Sequence, residues 1–416
     1  MTAKAISKYL ASYAQSESNE LVALADNYLY VMVIPVCNED KQCLKTVFSE
    51  IKTNNVLIIA VVNSPNSHPV WQLHNQKFIK NLENNATNQQ QLNINCQLLR
   101  FKDFHDILVV DKNSQDLQIN PKYGVGLARK TGCDIALRLY ATGVIKRPWI
   151  FSTDADVILP ANYFSKSVQN SDDYSAIVLD FQHYSDSKYL HKLQFYYDFK
   201  LRYYHAGIVF ASTTYAYIPL GSTLIVNMLC YAQVRGFPKK NAGEDFYLLN
   251  KLAKIKPIKY LVDNPIVKIK SRFSNRVPFG TGPALAKISE LDNINNYQYY
   301  HPRCFILLKQ WIDFLNNLWQ QDSLYIIEPK DKLLAELYHF FNCKNVFSKC
   351  QPQITSQTRW SQFVHQWFDA FKTLKAVHFF DNNFKRVSYQ QLLNSNSFAK
   401  VNHSMLQNFI QRYDKN

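Results

Sequence analysis

Nowhere in the 416 residues do apolar side chains run for the roughly 18 positions that a membrane-spanning helix needs. The opening stretch, MTAKAISKYLASYAQSESNE, also lacks an apolar core of signal-peptide length. These two absences predict a soluble, cytoplasmic protein. The eight cysteines (37, 43, 96, 133, 230, 304, 343 and 350) form no C-x-x-C pair. They read as free, mostly buried thiols in a reducing compartment rather than a zinc site or a disulfide frame. No helix-turn-helix, zinc-finger, RNP or KH signature is present, and the basic residues are scattered among aromatics, so nucleic acid is not the expected partner.

Acidic residues are scarce: 32 Asp and Glu face 47 Lys and Arg, for a net charge of +15. The imbalance is local, because residues 187–276 hold 15 Lys and Arg against 4 Asp and Glu. A solvated basic face is one reading. The other is an anionic partner: a nucleotide diphosphate, a phosphorylated or lipid-linked acceptor, or an anionic membrane surface that the protein touches peripherally. What is plentiful is core material. At 47% hydrophobic and 14% aromatic, the chain can bury two or three domains.

The first two thirds alternate strand-like and helix-like stretches. YLYVMVIPV (28–36), NVLIIAVVN (55–63) and ILVVD (107–111) are continuous apolar runs, the mark of a parallel sheet covered on both faces. A helix is expected over about 40–53. Residues 72–98, rich in Asn and Gln, read as a long helix with a ragged loop before CQLLRF (96–101). GVGLARKTGCDIALRLY (124–140) opens G-x-G, but Arg129 stands where a dinucleotide fingerprint has its third glycine. As a helix it carries Leu127, Thr131, Ile135 and Leu139 on one side, with Ala128, Gly132 and Ala136 as a small strip for close packing. Arg129 and Lys130 are then placed in the first turn, where cations oppose the helix dipole and an anion would relieve the conflict.

Two pairs of carboxylates carry the chemistry. WIFSTDADVILP (149–160) ends an apolar run with Asp154 and Asp156, which strand alternation points to the same side. Like charges so close call for a cation beside them, either a metal or a solvated turn's counterions. GFPKKNAGEDFYLLNKLAK (236–254) sets Glu244 and Asp245 at a helix start capped by Asn241 or Gly243. In parallel sheets ligands sit beyond the C-terminal strand ends, where Glu39, Asn63 and the Asp154/Asp156 pair fall.

VMVIPVCNED, GVGLARKTGCDIA, STDAD and GEDFYLLNKL, in this order over residues 28–285, resemble the family 2 glycosyltransferases of the GT-A fold. The resemblance implies an α/β fold: a Rossmann-like, mostly parallel sheet with helices on both faces, here followed by an α-helical C-terminal region. It implies inverting transfer of a sugar from a nucleotide-diphosphate donor, a UDP-sugar by expectation, to a hydroxyl acceptor, with Mn²⁺ or Mg²⁺. Asp156 is then the metal ligand, Asp154 reaches the ribose or the metal, Asp245 is the general base, and Glu244 orients it. Pro35 and Glu39 cradle the nucleoside. Asn63 stands where many relatives have a base-reading Asp. Gly221 lets the chain approach the donor sugar, Arg129 contacts phosphate, and Arg272 and Arg276, in SRFSNRVPFGTGPA (271–284), clamp the diphosphate as a closing loop. The competing readings are a GT-A-like nucleotidyltransferase, which normally shows a glycine-rich loop where this chain has VIPVCNED, and a non-catalytic nucleotide- or sugar-binding module.

The expected domains are an N-terminal helical extension (1–27), a catalytic domain (28–285) and a helical domain (286–416). Leu308, Trp311, Leu315 and Leu318 form one core stripe; Trp360, Phe363, Val364, Trp367, Phe371 and Leu374 form another. Gln357-Thr358-Arg359-Trp360 is one residue short of the Q-x-x-R-W motif of membrane-embedded synthases, and is read as coincidence. The helical region is expected to shape a site for a glycan, lipid-linked or small-molecule acceptor, or to make a homodimer contact. His183 and His205 are read as structural.

Overall fold

The computed structural model of the chain describes residues 2–274, 276–320, 327–401 and 404–413. The chain divides into two compact units. One comprises the residues up to Asp186 together with Pro219–Pro283, and the other Ser187–Ile218 with the chain from Ala284 on. The segment 187–218 therefore clusters with the helical unit, although its sequence position lies within the span expected for the catalytic domain. Its helix, Lys188–Phe210, buries Leu193, Phe199, Tyr203 and Ala206 in the same aromatic core as Phe305, Trp311 and Tyr299.

The first unit is built on ten strands: β1 (Tyr30–Val36), β2 (Val56–Asn63), β3 (Asn88–Asn93), β4 (Cys96–Arg100), β5 (Ile107–Lys112), β6 (Trp149–Ser152), β7 (Val157–Ile158), β8 (Ala176–Tyr184), β9 (Leu224–Asn227) and β10 (Ile258–Lys270). They form one sheet in the order β3-β4-β5-β2-β1-β6-β9-β8-β10-β7. The central strands β5, β2, β1 and β6 are parallel. Following the pairings outward, only β4, β9 and β7 run against the rest. The expected α/β architecture, a mostly parallel sheet with a helical C-terminal region, is what forms.

Every residue of β1 and β2 is buried, because helices cover both faces. On one face the helix Gly124–Ala141 packs so closely that a Cβ on Gly132 would come within 2.5 Å of Val33. On the other, Tyr30 and Phe151 meet Phe164 of the helix Tyr163–Ser167, with ring centroids 5.0 and 4.8 Å apart.

Three local expectations change. The 72–98 stretch is not one helix: it is helical over Pro69–Asn85 and then turns back as the β3–β4 hairpin, whose edge position suits its exposed Gln and Asn side chains. The expected helix over 40–53 is only Cys43–Val47. The helix Gly124–Ala141 is buried on nearly every side, since the N-terminal helix Thr2–Ser12 covers its outer face. Tyr9 there donates to Asp134 (2.5 Å), which also accepts from Gln15 N–H and Tyr231 and pairs with Lys130. The N-terminal segment is thus part of the first unit's core.

In the helical unit Leu308, Trp311, Leu315 and Leu318 are buried as expected. The second stripe is split after Trp367, because Asp369 caps a new helix, Ala370–Asp381, through the Phe371 and Lys372 N–H groups. Trp360 donates its indole N–H to Leu315 O (2.8 Å), so the near Q-x-x-R-W match is a packing element. A short strand pair, Gln298–Tyr299 with Val387–Ser388, interrupts the helices. No helix among the described residues is long and apolar enough to cross a membrane.

Candidate functional site

Strands β1 and β6 pair only over Val31–Val33 and Ile150–Ser152; the Thr153 N–H still reaches Val33 O (3.1 Å), and then β6 ends. Pro35 shares the parity of Val33, so its missing N–H faces the side where β6 has stopped and no ladder bond is lost. Between the C-terminal ends of β1 and β6 the sheet opens a fork, the usual ligand crevice of open α/β sheets. STDAD leaves the strand at this fork, so Asp154 and Asp156 lie on a turn between β6 and β7 rather than on a strand.

The cation between the carboxylates is Arg129. Its Nη2 holds Asp154 Oδ1 (2.5 Å), its Nε holds Glu244 Oε1 (3.0 Å), and its Nη1 donates to Ser152 Oγ (2.8 Å). Arg129 is 2% exposed and Glu244 4%. It lies in the second turn of its helix rather than the first, and its donors serve protein carboxylates. Gly221 has no side chain because a Cβ there would strike the Arg129 guanidinium. Gly243 takes φ +72° at the N-cap of the helix Glu244–Leu252, which turns the chain so that Glu244 meets Arg129.

A second set of charges lies on the Asp156 side. Arg272 grips both oxygens of Glu39 (2.8 and 2.5 Å) and reaches Asp156 Oδ2 (2.7 Å). Arg276 adds a bond to Glu39 Oε1 (2.5 Å) and one to Cys37 O (2.8 Å). Glu39, Asp154, Asp156, Glu244 and Asp245 thus gather around Arg129, Arg272 and Arg276, five carboxylates to three guanidiniums. The deficit shows in the titration. Burial, then Asp154 and Glu39, push Asp156 up to about 7. Burial, then Glu244, push Asp245 up to about 7, against the Phe246 N–H that its Oδ1 accepts (2.7 Å).

Asp154 and Asp156 each keep an oxygen that no side chain among the described residues bonds. Among those residues no three His, Cys, Asp or Glu side chains gather to hold a metal. Two carboxylate oxygens and an unbalanced double negative charge suit a hard divalent cation that shares its shell with phosphate oxygens and water, so the residues present fit such an ion.

Asn63 ends β2, one strand away from this cluster. Its backbone O accepts from Asn75 Nδ2 (2.9 Å), and Asn75 also bonds Asn113 and the Asn38 N–H. The Asn63 amide oxygen and the Ser64 hydroxyl are buried with no partner among the described residues. Through Asn75 this pair connects to Asn38, one of the residues lining a cleft of about 520 Å³ with Glu39, His74 and Lys77; Glu39 is common to the cleft and the charge cluster. Ser152, Asn75 and Asn113 were not foreseen in the sequence. Ser152 had a signal, since it directly precedes T-D-A-D; Asn75 and Asn113 had none, lying in polar stretches with many other amides.

No family model and no curated protein matches the chain. Solved structures with some likeness include S. aureus TarS 1–349 with UDP-GlcNAc (12% identity over 93% of this chain and 92% of that one, TM-score 0.32). The mannosyltransferase PcManGT from Pyrobaculum calidifontis with GDP-Man and Mn²⁺ shares 11% over 90% and 98%, TM-score 0.37. GalNAc-T7 with UDP, GalNAc and Mn²⁺ shares 12% over 67% and 51%, TM-score 0.33. Likeness at this level carries no functional argument, which rests on the side chains.

Replacing Arg129 by Ala leaves Glu244 buried without a cation. Urea denaturation should show a loss of about 3–5 kcal/mol, and Gly221→Ala, which displaces the same guanidinium, a smaller loss of about 1–3 kcal/mol. A loss under about 1 kcal/mol for Arg129→Ala would mean that the bridge does not hold the site. Asp245 gives an effect of opposite sign. Its folded pKa is raised above the ordinary 3.8, so the folded state binds this proton more tightly than the unfolded one, and the stability it contributes is lost as pH rises from about 4 through 7. Asp245→Asn should therefore raise the unfolding free energy from urea denaturation at pH 8, by on the order of 1–2 kcal/mol after allowing for partial exposure, and leave it unchanged at pH 4. Equal effects at the two pH values would contradict the shift.

Proposed function

We propose that the protein is a glycosyltransferase that moves a sugar from a nucleotide-diphosphate donor, a UDP-sugar, to an acceptor hydroxyl with inversion. The observation that carries this reading is the Arg129 bridge. It joins Asp154 to Glu244, 90 residues apart in sequence, and so brings the carboxylates of two separate motifs to one fork at the end of the sheet. A purely structural ion pair does not need the two further half-buried carboxylates, Asp156 and Asp245, that accompany it at a net cost in charge.

Each group has a task in this reaction. The nucleoside lies in the cleft beside Glu39, and Asn63, whose buried amide oxygen has no partner among the described residues, is assigned to its base. Arg272 and Arg276 carry planar donor forks that suit phosphate oxygens as well as they suit Glu39 and Asp156. A divalent cation held by Asp156 and Asp154 supplies charge to offset that of the departing diphosphate.

Asp245 takes the proton of the acceptor hydroxyl as that oxygen bonds to the anomeric carbon and the bond from that carbon to the diphosphate oxygen breaks on the opposite face. A pKa near 7 suits a base working near neutrality. Glu244, fixed by Arg129, orients the acceptor and keeps Asp245 more basic.

The test uses a panel of nucleotide sugars with Mn²⁺, reading nucleotide release and thermal stability. A bound nucleotide at a hundredfold excess over its dissociation constant should stabilise the fold by about 2.7 kcal/mol. Asp245→Asn should keep that stabilisation and lose about 10²–10⁴-fold in nucleotide release. Wild-type activity that survives in both Asp156→Asn and Asp245→Asn would remove the enzyme reading in favour of a binding module.

A further inference from the structure

The helical unit holds a second cavity of about 430 Å³, within the size range of small-molecule sites (about 300–1,000 Å³), between the C-terminal ends of the helices Lys332–Phe340 and Ala370–Asp381. Its lining is of two kinds. Phe340 is a ring left 54% exposed, steadied by Phe379 with centroids 5.2 Å apart. Facing these rings are Lys375, Asn382, Asp381 and Arg386. The last two are fixed against each other: Arg386 Nε and Nη2 hold Asp381 (2.9 and 2.7 Å), while its guanidinium stacks over Tyr300 at 5.0 Å. Arg386 Nη1 has no partner among the described residues, so a rigid N–H donor stands beside a carboxylate acceptor.

The charges around the cavity narrow the ligand. An anion is disfavoured by Asp381 and by the two helix C-termini, whose partial charge is negative. A cation is disfavoured by Lys375 and Arg386. His378 adds little charge at neutral pH, because partial burial, opposed by Asp381 and helped by Arg386 and Lys200, lowers its pKa, and its Nε2 is bonded to Tyr300 (2.9 Å). An exposed aromatic face next to an adjacent donor and acceptor matches a molecule with one C–H face and neighbouring hydroxyls. We propose that this cavity is a glycan-binding site, in which a neutral sugar ring stacks on Phe340 and sets vicinal hydroxyls against Arg386 and Asp381. That the glycan is the acceptor rests on the glycosyl-transfer reading; that a glycan binds here does not.

The test takes the full chain to an array of neutral hexose and N-acetylhexosamine oligosaccharides and their sulfated counterparts, and titrates the best neutral probe into wild type, Phe340→Ala and Arg386→Lys. Both side chains are about half exposed, so the variants should fold, with circular dichroism as the check. Wild type should retain at least one neutral oligosaccharide in preference to its sulfated form. Each variant should bind it about tenfold more weakly, the loss of one contact worth about 1.4 kcal/mol, with nucleotide-sugar hydrolysis unchanged. No neutral glycan retained, preference for the sulfated forms, or affinity unchanged in both variants would overturn the proposal. Pocket-dependent binding by a protein that hydrolyses no nucleotide sugar would keep this site and remove the transferase reading. Hydrolysis without glycan binding would do the reverse.

Discussion

One guanidinium organises the first unit's chemistry. Arg129 comes from a helix packed flat on the sheet, and it is the only described group bonded to carboxylates of both motifs. Removing two like charges from water at the end of a strand is unfavourable unless a cation accompanies them. The chain supplies that cation from a buried helix and leaves room for it with a glycine at position 221. A buried ion pair of this kind is weak evidence for stability, because desolvation offsets most of its attraction. It is better evidence for a geometry that has to be kept.

The rest of the site follows from the fork between β1 and β6. Once β6 ends at Ser152, one edge of β1 is free, and Pro35 can stand on it without leaving a gap in the ladder. Beyond that point β1 delivers Glu39, the β6–β7 turn delivers Asp154 and Asp156, and the stretch between β10 and the helix Thr281–Ser289 delivers Arg272 and Arg276. Burial, reinforced by the surplus of negative charge, raises Asp156 and Asp245 together. A site that only stabilised the fold would gain by replacing either of them with an amide, which argues that the charge is kept for chemistry.

Much of this was legible in the sequence, for physical reasons. The apolar runs at β1, β2 and β5 are long enough to announce buried parallel strands, and carboxylates in pairs are conspicuous in a chain so short of acidic residues. Arg129 was singled out by its conflict with the helix dipole, but sequence could not say whether a phosphate or the protein's own carboxylates resolved it. Gly221 looked like a place for a ligand to approach; that its missing Cβ also makes room for the Arg129 guanidinium had no signal in the sequence. The hairpin within 72–98 was hidden because amides favour neither helix nor strand strongly. The assignment of 187–218 to the helical unit depends on Tyr203 and Phe199 finding partners about a hundred residues later, which no local pattern records. The break at Asp369 was readable as a helix cap and was masked by an apolar stripe that happens to keep its phase across it.

The account stands or falls on the carboxylates flanking one shared cavity that accepts a diphosphate. The most direct measurement is the anomalous scattering of Mn²⁺ in crystals of the protein grown with UDP. The account predicts one manganese peak between Asp154 and Asp156, bridged to the diphosphate, with the Asp245 carboxylate facing the same cavity. A diphosphate bound elsewhere, or bound at the fork with the Asp245 side chain turned away from it, would contradict it.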